Sequence, residues 1–199
     1  PGADCWTVKE LKDWPDELLG LLAALLGEVE KQGKWPEELG LNLVAMLPKG
    51  GSSDPGDRRP IVLLPVVYRL WAACRARIMR GWLVQGGLLR SGGEIRSAEG
   101  LALDAAVEFA VAKALDQVIA GLAIDWSKCY DRLPLEVLEV VAREAGVPKC
   151  ISGPMLAAYG HGRRILSRGL AGGIGEPTCG LTPGCPAATD WLALVTAPW

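Results

Sequence analysis

"GLAIDWSKCYDRLP", residues 121–134, runs a short apolar stretch into Asp125, then offers a tyrosine at position 130 and a second acid at Asp131. A strand that ends in an aspartate, with turn-forming residues beyond it, places a carboxylate at a sheet rim, where open mixed sheets hold their ligands. Two acids six positions apart share one small space only if the chain turns between them, and "WSKCY" is short enough for that. Magnesium sites of this kind use hard oxygen ligands, keep several waters and take further ligands from substrate phosphates. The stretch therefore points to phosphoryl or nucleotidyl transfer. A plainer role is also open: an Asp after a strand often shapes a turn, and Asp131 before "RLP" would serve as a helix N-cap.

Working outward, "VIAGLAID" reads as a buried strand leading into Asp125, and "PLEVLEVVAREAGVP" as a helix from about Pro134, closed by Gly146 and Pro148. Upstream, Ser97 is a fair N-cap for an Ala-rich helix from Ala98 to about Gln117. Near the start, Asp13 and Pro15 open a helix that ends around Gln32 and Gly33. The run "LNLVAMLPKG" has β character, breaks at Pro48 and delivers Lys49 into the loop "GGSSDPGDRRP". Lys49, Arg58 and Arg59 are suited there to close over a triphosphate, arginine by bidentate contact and lysine as a point charge. A helix follows from about Pro65, with Arg69, Arg75, Arg77 and Arg80 read as a solvated face. Then come a short helix in "KCISGPMLAAYGHG", a hairpin in "RRILSRGLAGGIGEPTCG" and a last helix in "GCPAATDWLALV". Strands and helices alternate without a strict βαβ rhythm, which predicts an α+β fold.

Composition narrows the classes. The 199 residues suit one domain, half of them are hydrophobic, and no apolar stretch reaches the roughly 20 residues of a membrane helix. A net charge of -2 does not advertise a nucleic-acid binder, because neutralising phosphates takes an excess of Lys and Arg. Six cysteines without a C-x-x-C pair, and His161 as the only histidine, exclude zinc-ligand spacing and predict free thiols in a reducing compartment. His161 is read as a loop residue. Cys129 and Cys185 are read as packed side chains, and most of the eight tryptophans as core or interface anchors. Arg163, Arg164 and Arg168 are expected on a solvated hairpin or against a nucleic-acid backbone. The first residues lack an initiator Met or signal peptide, and "DWLALVTAPW" stops within a helical pattern, so both ends are expected to be cuts in a longer protein.

Three stretches, in order, carry a family resemblance: "AMLPKGGSSDPGDRRPIVLLPVVYRLW", "AIDWSKCYDRLPLEVL" and "GLTPGCPAATDWLAL". They resemble successive motifs of the reverse transcriptase domain of non-LTR retrotransposons: L-P-K, R-P-I-x-L-L, the first catalytic aspartate with its A-F-D, and the helix start G-x-x-Q-G-C-P-x-S-P. The resemblance implies a right-hand polymerase, with fingers from about 1 to 100 and an incomplete palm beyond, helices packing on a small, mainly antiparallel sheet. By position it implies that Asp125 binds metal, with the Trp126 carbonyl as a further ligand. It implies that Tyr130 is the steric gate excluding a 2'-hydroxyl, that Lys49 and Arg59 hold the dNTP triphosphate, and that Gly184 lets the backbone approach template and nucleotide. The cofactor implied is a pair of magnesium ions, with manganese as a substitute, roughly 4 Å apart. The partners implied are an RNA template, a DNA primer and dNTPs, with no membrane, in nucleus or cytoplasm.

The chain also departs from the pattern. Pro183 replaces the family's glutamine before Gly184, Ala188 and Thr189 replace Ser-Pro, and Trp199 precedes any Tyr-x-Asp-Asp hairpin, which supplies the family's other metal-binding carboxylates. Two rival readings follow: a decayed, non-catalytic retroelement remnant that at most binds RNA or a protein, and an unrelated magnesium phosphohydrolase using Asp125 and Asp131.

Overall fold

The apolar run Leu41–Pro48 forms β1, the strand around which the candidate site is organised. In the computed structural model, which describes residues 1–48, 50, 58–88, 98–121, 128–167 and 169–196, β1 pairs antiparallel with β2 (Arg58–Leu63) and parallel with β3 (Gly162–Ser167). The chain then turns back antiparallel into β4 (Leu170–Gly175), giving a mixed four-stranded sheet ordered β2-β1-β3-β4. Helices against a small mixed sheet make the fold α+β.

Side-chain alternation decides which sheet face is core. Val44 lies opposite Val62, both buried, and Met46 lies opposite Pro60 in the same row. Asn42 continues that row and is fully buried; its Nδ2 donates to the Ala158 carbonyl at 3.0 Å, which offsets part of the cost of burying an amide. On the opposite face, Leu47 and Ile61 stay exposed.

The first helix, α1 (Val8–Lys12), opens with a capping box: the Glu10 N–H donates to Thr7 Oγ1 at 3.3 Å, and the Thr7 N–H donates to Glu10 Oε2 at 2.7 Å. Next, α2 (Asp16–Gln32) ends at Gly33, whose φ of 67° is the left-handed geometry glycine adopts without strain. The long α3 (Val66–Gln85) starts after Pro65 and buries Tyr68, Trp71, Ala72, Ala76, Met79 and Leu83, a stripe at helical spacing. Full burial of a side chain such as Met79 or Leu83 contributes about 1.5–3 kcal/mol. Trp35 meets Tyr68 and Trp71 edge-on, with centroids 5.3 and 5.4 Å away, and its Nε1 donates to the Pro154 carbonyl at 2.8 Å. Trp35, Trp71 and Trp191 are thus core anchors.

The solvated-face reading of α3 is corrected at two of its arginines. Arg75 and Trp71 Nε1 both donate to Glu30 of α2. Arg80 makes a two-pronged ion pair, Nε to Asp190 Oδ1 at 3.0 Å and Nη2 to Oδ2 at 3.2 Å, with Asp190 completely buried. Their partners lie 45 and 110 residues away along the chain, beyond the reach of a local pattern.

The Ala-rich helix α4 (Ala98–Ala114) stops three residues short of Gln117, because Asp116 takes a left-handed φ of 52° and the Gln117 N–H turns back to the Ala112 carbonyl at 2.8 Å. The expected strand after it is not formed in its described part: Val118 to Gly121 are exposed and unpaired as strand, and the rest lies outside the described residues. β propensity is expressed only against packed neighbours, and these four residues have no strand beside them.

Beyond lie α5 (Cys129–Arg132), α6 (Leu135–Glu144), α7 (Lys149–Tyr159) and α8 (Ala188–Thr196). Pro134 and Pro148 precede α6 and α7, where a proline supports a helix start. Trp191 of α8 donates its Nε1 to Met155 Sδ at 3.3 Å, joining the last helix to α7. All six cysteines are free thiols, and among the described residues no helix is long and apolar enough to cross a membrane.

Candidate functional site

The segment after β4 works as a strut between two parts of the molecule. At one end the Gly180 N–H donates to the Leu133 carbonyl at 2.7 Å, and the Leu181 N–H to the Tyr130 carbonyl at 2.7 Å. At the other, the Pro183 carbonyl accepts the Val62 N–H of β2 at 3.2 Å. Its two tight bends need glycine: Gly180 has φ 103° and Gly184 φ 106°, and a methyl on Gly184 would lie 2.9 Å from the Val62 carbonyl oxygen. Close approach of backbone to backbone is the reason for glycine at 184. The strut holds Tyr130 and Gly184, two of the residues singled out by the family resemblance, in one assembly.

Beneath it an open groove of about 570 Å³ lies over the core-facing row of the sheet, walled by Val44, Met46, Pro60, Val62, Ile165 and Pro183. Its charged side chains are Asp131, Arg163 and Glu176. Arg163 is half-buried, and Nη2 donates to the carbonyls of Tyr159 at 3.3 Å and Gly180 at 3.4 Å. Burial pushes its guanidinium pKa down, while the negative ends of Cys179 and Asp131 push it back up. Arg163 therefore bolts β3 to the strut, and the solvated reading of this residue does not hold. Asp131 lies inside α5, and α6 has Pro134 as its N-cap with no side-chain cap bond, so the N-cap reading of Asp131 does not hold; its charge weakly favours the Arg163 cation across the groove.

Tyr130 is half-buried and packed against the core; burial, then the neighbouring Cys129, raises its phenol pKa, so it stays a neutral ring with a hydroxyl. Before it, Lys128 takes a left-handed φ of 51°, which few non-glycine residues adopt, and starts the turn of α5 that presents Tyr130. Arg59 is exposed on β2 opposite Leu47, on the face away from the groove, whereas Arg58 shares the groove's face and donates to Ser167 Oγ at 3.0 Å. Asp125, Trp126, Lys49 and Arg168 lie outside the described residues. Among the described residues no group of three His, Cys, Asp or Glu is placed to hold a metal. His161 follows α7, half-buried, and burial lowers its pKa.

The arrangement offers an open groove with apolar walls and both signs of charge among its lining side chains. One cluster went unread in the sequence: Cys185 Sγ, next to Gly184, lies 3.1 Å from the Tyr68 hydroxyl and 3.2 Å from that of Tyr159. Its three members come from α3, α7 and the strut, and no spacing rule connects them. In comparisons with known proteins, no family model and no curated protein matches the chain.

Proposed function

We propose that the chain is the fingers and part of the palm of an RNA-directed DNA polymerase of a non-LTR retrotransposon, adding dNTPs to a primer 3'-hydroxyl by two-metal nucleotidyl transfer. The observation that carries this reading is the ordered motif set over residues 45–71, 123–138 and 180–194. The bond from Leu181 to Tyr130 and the close approach of Gly184 to β2 support it, since the second and third motifs and the strand of the first then face one groove. In this reading Asp125 and the Trp126 carbonyl would hold magnesium, which would supply Lewis-acid activation of a hydroxyl and charge stabilisation of a leaving pyrophosphate. Lys49 would take the triphosphate and Tyr130 would pack under the sugar; Arg59 would serve the triphosphate from the outer face of β2, and Gly184 would keep its turn close to β2 beside nucleotide and template.

The test is magnesium-dependent primer extension by the complete protein that carries this chain, with dNTPs and rNTPs compared. Tyr130→Val is expected to raise ribonucleotide incorporation by about tenfold or more relative to deoxyribonucleotide, because a pocket that no longer excludes a hydroxyl loses discrimination of that order. An unchanged sugar preference removes the gate role.

A second reading, a non-catalytic remnant that binds RNA, is favoured by Pro183. It stands where the family has a glutamine, carries no side-chain amide, and uses its carbonyl on Val62. RNA binding that weakens steeply with salt, without synthesis, is its signature.

A further inference from the structure

We propose that Cys185 is a positioning residue whose sulphur, held by the hydroxyls of Tyr68 and Tyr159, sets the height of the Gly184 turn over the groove. The importance of that turn rests on the polymerase reading, but the contact itself does not. The strut's backbone bonds gather at two feet, one on the α5–α6 segment through Thr178, Gly180 and Leu181 and one on β2 through Pro183. The Arg163 bond to the Gly180 carbonyl strengthens the first foot only, so the segment can still hinge between its ends, and a contact beyond the Pro183 foot makes it rigid. Cys185 supplies it: the residue is buried, its N–H closes the turn onto the Thr182 carbonyl at 3.0 Å, and its sulphur reaches inward between two fully buried rings. Burial above all pushes both tyrosine pKa values well up, so both hydroxyls keep their protons; Tyr159 donates to the sulphur, and Tyr68 shares a bond with it.

Sulphur suits the place by size. Hydroxyl-to-hydroxyl bonds settle near 2.7–2.8 Å, roughly 0.4 Å shorter than the two contacts here, so serine can keep the bonds only by drawing the turn inward. Alanine would leave two buried hydroxyls to satisfy each other and free the turn.

Amide hydrogen exchange on the intact chain tests this without any enzymatic readout. In Cys185→Ala the amides of Val62, Gly180 and Leu181, which carry the two backbone feet, are expected to exchange about tenfold faster, with amides in α2 and the middle of α3 unchanged. Cys185→Ser is expected to hold the three rates within about threefold of the parent. Tyr159→Phe, which removes one hydroxyl and no volume, is expected to accelerate the same three amides and covers the case in which the alanine variant does not fold. Acceleration spread evenly through α2, α3 and α7, or none at the three amides, overturns the proposal. Failure of primer extension with the local acceleration intact would count against the polymerase reading and leave this inference standing.

Discussion

Asp125→Ala is expected to abolish magnesium-dependent primer extension by the complete protein, lowering its rate by about a thousandfold or more, the equivalent of about 4 kcal/mol of transition-state stabilisation. In the proposed mechanism this carboxylate would help hold the magnesium ions, which would supply charge stabilisation to the attacking and leaving oxygens, and alanine removes that ligand. Alanine adds no bulk and keeps the backbone unchanged, so the fold is expected to survive, with unchanged circular dichroism and melting temperature. Asp131→Ala is the control. It is expected to leave extension readily measurable, because Asp131 shares the groove with Arg163 and contributes only a weak electrostatic attraction to it. Equal loss in the two variants, with phosphatase turnover in the parent, would instead support the phosphohydrolase reading. Retained extension in Asp125→Ala would defeat the polymerase assignment.

Arg80→Ala is expected to have the largest effect on stability, about 3–5 kcal/mol, because it strands a carboxylate that has no access to water. The pair is unequal: Asp190 is fully buried, whereas the Arg80 side chain keeps about a third of its surface exposed. Asp190→Ala therefore costs less, since the freed guanidinium can turn into solvent. The carboxylate also sits in the first turn of α8, where the helix dipole favours a negative charge. For a chain of this size each kcal/mol moves the melting point by about 2–4 °C, so Arg80→Ala should melt roughly 6–20 °C below the parent. Thermal melts of the two single variants and the double variant check this. The double variant is expected to lose less than the two single losses added together, because the second change removes a group already without its partner.

Much of the helical framework was legible because its signals are local. Gly33, Pro65, Pro134 and Pro148 mark ends through their own backbone limits, and the stripe of α6 through Leu138 and Ala142 follows from spacing. The β3–β4 hairpin was legible for the same reason. Thr7 and Glu10 gave an equally local sign of α1 that was passed over, since the apolar pattern following Pro15 is the stronger one. Sheet order was not legible: β1 beside β3 is a pairing between distant segments with no turn to announce it. Arg80 and Arg163 looked like ordinary surface cations because their partners, Asp190 and the carbonyls of Tyr159 and Gly180, are defined only by tertiary folding. Tyr130 and Gly184 were found by motif order, and the bond that relates their segments is likewise a product of the fold.

The place of β1 in the middle of the sheet also bears on how the chain is made. Its partner β2 follows at once, but β3 is synthesised roughly 100 residues after β2, a wait on the order of ten seconds at ordinary elongation rates. Through that interval the nascent hairpin has both backbone edges bare, the β1 edge among them, and an uncovered valine row, the kind of surface that joins to other chains. Translation speed between β2 and β3, and the supply of ribosome-bound chaperones, should therefore govern how much of this protein a cell recovers in soluble form.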